Sequence, residues 1–231
     1  EPDKSGGYSK LLGFEKYSTT TVPGTGPILA LKVISSGLVV AARKVDSAAI
    51  SAVSGLTSGD DNKTAYYYST GTTWTFMAKS VSTNGGKAKH TEFNLDGDDK
   101  VIFVDGTSYP AIYNTSGNTT TFLTSSNSSD LSSAEHVAMF KKHAFYAKGN
   151  NLYFSIPSNV SNFGTGSGTI NVGHDITGLT VFRDQLIIFT TDTIQKITGS
   201  SVSDWALAPI TNKTGCINGD TIQEVGGDII Y

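Results

Sequence analysis

The sequence repeats with a period of about 42 residues, and this repeat restricts the fold more than any other feature. Residues 139–155 align without a gap on residues 181–197. Each copy has an apolar pair, a polar turn, an apolar run, a second turn and a further strand-like segment. Matching segments lie 43 residues before the first copy and 43 after the second. Equivalent buried strands are therefore expected at Val101, Ala144, Leu186 and Ile229.

A strand-rich period of this length is typical of the four-stranded blades of a β-propeller. The predicted fold is all-β, a propeller-like array of four-stranded antiparallel blades in which Phe145 and Ile187 occupy equivalent positions. Phe182 is expected to be a buried aromatic side chain of the fourth unit. Residues 1–27 are predicted to form an N-terminal arm and residues 28–231 the propeller domain. Its blades are placed near residues 28–78, 89–124, 135–173 and 176–210, with a fifth beginning at 221–231.

The two ends of the sequence suggest an incomplete array. Glu rather than Met stands first, and the fifth unit has only begun when the sequence stops at Tyr231. A propeller that stopped there would leave an open sheet edge, which natural proteins avoid. We therefore expect a longer chain, with the arm of residues 1–17 contacting a neighbouring subunit or a part of that chain beyond residues 1–231.

The composition excludes some classes of function. Charged residues make up 16% of the chain, the net charge is −3, and Arg43 and Arg183 are the only arginines. This distribution offers no basic surface for reading nucleic-acid bases. No apolar run approaches the roughly 18 residues of a membrane-spanning helix. The single cysteine, Cys216, cannot form an internal disulfide and is expected to be a small core residue.

Two segments interrupt the strand pattern. Residues 45–63 contain several Gly and Asp residues, and we interpret them as a surface loop inserted into the first blade. Residues 132–135 fit a helix capping box. The strand pattern that starts at His136 favours a short turn there instead.

The acidic and turn motifs do not predict an active site. Asp96, Asp98 and Asp99 could offer oxygen ligands to Ca²⁺, but the EF-hand spacing is absent and a solvated turn is predicted. Ser69 followed by residues 71–74 is reminiscent of the aspartate box of sialidases, which is a structural turn. Sialidases also need three arginines to hold a carboxylate, and this sequence has two.

Histidines and glycines give no stronger signal. His90, His136, His143 and His174 lack the spacing of metal ligands. His143 matches Gln185 of the next repeat and is expected to face solvent. The glycines at 164, 166 and 168 lack the strand-to-helix context of a phosphate loop. The sequence therefore predicts no catalytic, cofactor-binding or metal-binding residue, and no enzyme.

Three consecutive tyrosines, Tyr66, Tyr67 and Tyr68, leave two interpretations open. Exposed tyrosines are effective contacts in binding surfaces. Core packing explains them equally well. In either case strand geometry places Tyr67 on the opposite face from its two neighbours.

Several stretches resemble a known family. Residues 6–17 followed by 22–26 are similar to the entry segment of tail proteins of double-stranded DNA phages. The stretches 153–157, 176–189, 194–199, 206–210, 215–216 and 224–228 are similar to the propeller of tail nozzle, or tail tubular, proteins of short-tailed phages. The resemblance covers most of the chain and is weakest at residues 45–63. No residue role can be carried over, since assembly surfaces in this family have no motif.

The resemblance implies a structural virion protein located in the phage tail. It implies a homo-oligomeric ring, expected to be hexameric, around the channel through which DNA is ejected without sequence-specific contact. Tail adaptor and tail fibre proteins would be its partners. The alternative is a tail protein that recognises a receptor or carbohydrate on the host. A propeller hydrolase is disfavoured, because a glycosidase needs two facing carboxylates and the acids here lie mainly in predicted turns.

Overall fold

The computed structural model describes residue 13 and residues 15–83, 86–124 and 131–231. These residues form four antiparallel sheets of four strands each, followed by a two-stranded hairpin. The first sheet contains β1 (Ile28–Val33), β2 (Val39–Lys44), β3 (Lys63–Ser69) and β4 (Trp74–Thr83). The second contains β5 (Lys89–Asn94), β6 (Asp99–Val104), β7 (Ala111–Asn114) and β8 (Thr119–Phe122).

The remaining strands follow the same order. The third sheet contains β9 (His136–Phe140), β10 (His143–Lys148), β11 (Asn151–Phe154) and β12 (Gly168–Asn171). The fourth contains β13 (Ile176–Phe182), β14 (Gln185–Thr190), β15 (Ile194–Thr198) and β16 (Ala206–Thr211). The hairpin pairs β17 (Gln223–Val225) with β18 (Asp228–Ile230). The predicted array of four-stranded antiparallel blades is therefore confirmed.

The strand register repeats with the sequence. Phe145 lies opposite Ala138 on one side and Phe154 on the other. Ile187 lies opposite Thr180 and Lys196, which are the same positions one repeat later. The predicted equivalence of Phe145 and Ile187 is confirmed. Ile229 also lies opposite Glu224, as Leu186 lies opposite Val181, so the final hairpin matches the first two strands of a blade.

The turn between the first two strands of a blade is also repeated. Lys141 and Lys142 have φ angles of 47° and 66°, and Arg183 and Asp184 have 46° and 61°. The equivalent residues of the final hairpin are Gly226 and Gly227, with φ of 62° and 85°. Two consecutive left-handed residues form a type I′ turn, which suits the twist of paired strands but favours Asn and Gly. Lysine and arginine at these positions are therefore strained, whereas aspartate tolerates the left-handed conformation.

Replacing Lys142 by glycine should raise the free energy of unfolding by up to about 1 kcal/mol. Glycine adopts positive φ without a Cβ penalty, and this gain exceeds its larger entropy loss on folding. Gly227→Ala, at the matching turn position, should change the free energy in the opposite direction. Chemical denaturation of the two variants tests the prediction. Destabilisation by Lys142→Gly would contradict it.

Each sheet packs face to face on the next. In β10, Ala144 and Tyr146 contact the second sheet, whereas Phe145 and Ala147 contact the fourth. This alternation follows from the period of two along a strand. Because both faces are covered, the second strand is strongly buried, as predicted for Val101, Ala144 and Leu186. Ile229 was also predicted to be buried, but it is only partly buried, since β18 packs on the fourth sheet with one face alone. The first strands β5, β9 and β13 lie next to one another at the inner side of the array.

The inserted segment 45–63 is more ordered than the sequence suggested. It contains the six-residue helix α1 (Ser47–Ala52) and a 3-10 turn (Ser58–Asp60). Ala49 and Leu56 pack on Tyr67, so the insertion covers the free face of the first sheet. The surface-loop interpretation is wrong here, because the segment buries apolar side chains against an apolar sheet face, which must be covered by another element. No helix within the described residues is long enough to span a bilayer.

One local expectation is confirmed, and one segment cannot be compared in full. Residues 132–133 form a turn rather than a helix, and the fourth strand of the third blade starts at Gly168, after the glycine-rich loop. Most of the N-terminal arm, residues 1–12 and 14, lies outside the described residues. Tyr17, at the end of the arm, donates a hydrogen bond from its hydroxyl to the Ser69 carbonyl at 2.9 Å.

Candidate functional site

The acidic cluster lies in the turn between β5 and β6, as predicted. Asp96 is exposed and forms an ion pair with Lys100. Asp99 accepts a hydrogen bond from the Asn94 side chain at 3.0 Å. Among the described residues, no group of three or more His, Cys, Asp or Glu could hold a metal ion. The local geometry is that of a hairpin turn.

His143 does not face solvent, so that prediction is wrong. It is the first residue of β10, is 4% exposed, and its Nδ1 lies 2.6 Å from the Ser155 carbonyl oxygen. Its ring also contacts the indole of Trp205, with centroids 4.9 Å apart. The two-residue turn places Lys141 and Lys142 outside the strand pair, which brings His143 into the sheet. The repeat could have shown this, because Gln185 starts β14 in the same way.

The tyrosine cluster belongs to the core. Tyr66 and Tyr68 face the second sheet, and Tyr67 faces α1, as strand alternation predicted. Tyr66 and Tyr67 are 1% and 0% exposed, so they cannot contact a partner directly. Burial raises the pKa of the Tyr67 hydroxyl to about 12. Of the two interpretations of these tyrosines, core packing is the correct one for this pair.

The other residues singled out from the sequence have structural positions. Cys216 is 4% exposed and packs with Ile187, Phe189 and Ile194, so the core assignment is confirmed. The Ser69 hydroxyl accepts a hydrogen bond from the Gly71 amide at 3.1 Å, which closes the turn that resembles an aspartate box. Gly168 is the first residue of β12.

Exposed apolar residues gather at the end of the array, on a surface that we call the terminal face. Phe182, Ile187, Ile210 and Tyr231 line a cavity of about 390 Å³ between the fourth sheet and β18. Ile210 is 52% exposed and Tyr231 is 47% exposed. On the outward side of the final hairpin, Val225 and Ile230 are 51% and 58% exposed. We define the terminal face by its exposed and partly exposed residues: Phe182, Ile210, Val225, Ile230 and Tyr231.

The terminal face is covered by fewer apolar residues than the faces between blades. The third and fourth sheets are joined by apolar contacts from three strands of each, including Phe154 and Ile197. On the far side of the fourth sheet, Ile187 and Phe189 pack against Cys216 and against Ile222, Ile229 and Tyr231 of the last segment. The sequence predicted that a fifth blade begins here. It did not predict the size or position of the apolar surface, which depends on how the hairpin packs.

A second cavity, which we call the axial cavity, lies where the inner ends of the blades meet. It has a volume of about 460 Å³. Residues from all four sheets and from the last segment line it, including Leu29, Lys89, His136, Leu179 and Asp220. Lys87 lies at its edge with a side chain that is 73% exposed. No sequence motif marked this cavity, because its residues come from distant parts of the chain.

Charged and titratable groups converge in the axial cavity. Lys87 Nζ lies 2.8 Å from one carboxylate oxygen of Asp220, and Lys89 forms an ion pair with the other. Burial lowers the pKa of His136 to about 4, and the charge of Lys89 contributes. Burial also lowers the pKa of His90 and of Lys89. The cavity therefore brings two lysine side chains, two histidine side chains and one aspartate side chain together.

Comparison with known proteins supports the fold alone. No protein family and no curated protein sequence matches the chain. Among solved structures, the chain is similar to the extracellular domain of a putative hybrid two-component system from B. thetaiotaomicron, with a TM-score of 0.53 and 12% identity. The match covers 95% of this chain and 28% of that one. At this identity the similarity concerns the arrangement of blades and carries no activity.

Proposed function

We propose that the protein is a structural component of the tail of a short-tailed phage, where it forms part of a ring around the DNA channel. The observation that carries the proposal is the terminal face, an apolar surface at the end of a rigid array of blades. Exposed apolar patches of this kind mark protein interfaces. The sequence resemblance supports the same assignment, since its longest stretch, residues 176–189, lies on β13 and β14 beside this face.

The internal contacts fit a mechanical role. Lys141 in the turn of the third blade pairs with Asp184 in the turn of the fourth. Arg183 in that turn donates a hydrogen bond to the Gly227 carbonyl of the final hairpin at 2.7 Å. Lys32 and Glu92 join the first blade to the second. These contacts tie successive blades together, which suits a part that must hold its shape while DNA passes.

In the proposed ring, the terminal face of one subunit packs against a neighbouring copy. The double variant Val225→Lys and Ile230→Lys should therefore abolish self-association, because it introduces two charges at the contact. Sedimentation velocity should show an oligomer for the wild type and a monomer for the variant. A variant that assembles like the wild type would contradict the contact.

Two controls accompany this test. Leu31→Lys with Val33→Lys changes two exposed apolar residues of β1, two positions apart, and should leave assembly unchanged. Asn substitutions at Asp96, Asp98 and Asp99 should leave both folding and assembly unchanged, because these residues lie in a solvated turn. Loss of a polysaccharide-degrading activity in the triple variant would overturn the non-enzymatic assignment.

The tail assignment is tested by quantitative mass spectrometry of purified virions. The protein should be present at the copy number of a ring. Its absence from virions, with self-association intact, would overturn the tail assignment and leave the interface standing.

A further inference from the structure

We propose that the axial cavity binds an anionic group, a carboxylate or a phosphate, of a small ligand between Lys87 and Lys89. The anionic group would take the place that Asp220 occupies in the structure, and His90 and His136 would form hydrogen bonds to neighbouring polar atoms of the ligand. This inference is independent of the proposed tail function.

The two lysines are positioned to hold an anion between them. Each ammonium group contacts a different oxygen of the Asp220 carboxylate, so the pair already holds one carboxylate in a two-point contact. A phosphate or a ligand carboxylate offers oxygens with similar spacing. Two lysines face one carboxylate, so an anion that takes the place of Asp220 keeps both lysines paired.

Lys89 and Asp220 lie in a partly buried environment. Lys89 is 29% exposed and Asp220 is 31% exposed, so their interaction is only partly screened by solvent. His90 and His136 line the same cavity. The His136 ring is hydrogen-bonded to the Ile176 backbone, which leaves a ring nitrogen that can accept a hydrogen bond from a ligand hydroxyl. A volume of about 460 Å³ accommodates a small ligand of this kind.

The backbone around Asp220 is held in place independently of its ion pairs. It lies in the 3-10 turn Gly219–Thr221, whose backbone packs directly on β13. A Cβ atom on Gly219 would collide with the Thr177 carbonyl oxygen, and one on Gly178 would collide with Ile222. The turn is therefore held against the sheet by glycine contacts, independently of the ion pairs. The Asp220 side chain can release the lysines while the backbone stays in place.

Binding is tested with inorganic phosphate and with glucuronate at constant ionic strength. The signals of His90 and His136 in side-chain NMR spectra report occupancy. Asp220→Asn should tighten binding by roughly tenfold, because the amide no longer competes for the ammonium groups. Lys87→Ala combined with Lys89→Ala should abolish binding. Lys141→Ala with Lys142→Ala, a pair of lysines on an outer turn, is the matched control and should leave binding unchanged.

The two probes distinguish the class of ligand. Binding of phosphate alone assigns the site to phosphorylated ligands, and binding of glucuronate alone assigns it to acidic sugars. The proposal is overturned if neither probe shifts the histidine signals in the wild type or in Asp220→Asn. It is also overturned if Asp220→Asn binds no more tightly than the wild type while its unfolding midpoint is unchanged, since the lysines would then not be the contact.

Discussion

Phe145→Ala is expected to lower the free energy of unfolding by about 3 to 5 kcal/mol, as for other fully buried aromatic residues. Phe145 is 0% exposed and lies in β10, between the third and fourth sheets. Its ring centroid is 5.7 Å from that of Phe154 and 5.2 Å from that of Trp205. Truncation would leave a cavity between the two sheets, and the paired strands around it could not move far enough to fill it.

Phe182→Ala is the matched comparison. The sequence predicted a buried aromatic at this position, but the structure leaves Phe182 partly exposed on the terminal face, with the Arg183 guanidinium 4.8 Å from its ring centroid. Its truncation should cost about 1 to 2 kcal/mol, because less apolar area leaves contact. Urea denaturation of both variants measures the difference. Equal losses would contradict the burial that the structure assigns to them.

Asp60→Asn is expected to lower the free energy of unfolding at neutral pH by about 2 to 4 kcal/mol. The Asp60 side chain is 4% exposed and pairs with Lys63, at 3.0 Å, and with Lys79. It also accepts hydrogen bonds from the amide and hydroxyl of Thr57, at 2.8 and 2.9 Å. An amide cannot balance two ammonium charges, so the insertion would lose its attachment to β3 and β4.

The pH dependence gives the second part of this prediction. The hydrogen bond from the Lys79 ammonium, together with that from Lys63, holds the pKa of Asp60 well below its usual range, against the effect of burial. A carboxyl with a lowered pKa in the folded state stabilises the protein above its unfolded pKa, near 4. That stability is lost as the pH falls through the folded value. The difference between wild type and Asp60→Asn should therefore shrink as the pH falls from 5 towards 2.

Asp184→Asn serves as the control for Asp60→Asn. Asp184 also pairs with a lysine, Lys141, but its side chain is 78% exposed. Exposed ion pairs contribute little, so this variant should lie within about 0.5 kcal/mol of the wild type at every pH. A pH-independent loss in Asp60→Asn would show that packing, and not the charge of Asp60, stabilises the insertion.

The sequence by itself determined the blades and their register. The apolar runs around Ala144 and Leu186 recur at a fixed spacing, and a shift of one residue would turn every apolar side chain to the other face. Strand order, the equivalence of Phe145 with Ile187, and the opposite orientations of Tyr66 and Tyr67 follow from that constraint. These properties depend on neighbours along the chain and on the period of a strand.

Only the tertiary structure decided what lies on the free surfaces. Residues 45–63 look like a surface loop, and they form a cover because Ala49 and Leu56 pack on Tyr67, on the face of the first sheet opposite the second blade. His143 is buried because Trp205, from the next blade, packs over it. The axial cavity brings Lys87 and Lys89 to Asp220 across more than 130 residues of sequence. Such contacts form only when separate blades pack together. A local sequence pattern cannot predict them, because the residues in contact are far apart in the sequence.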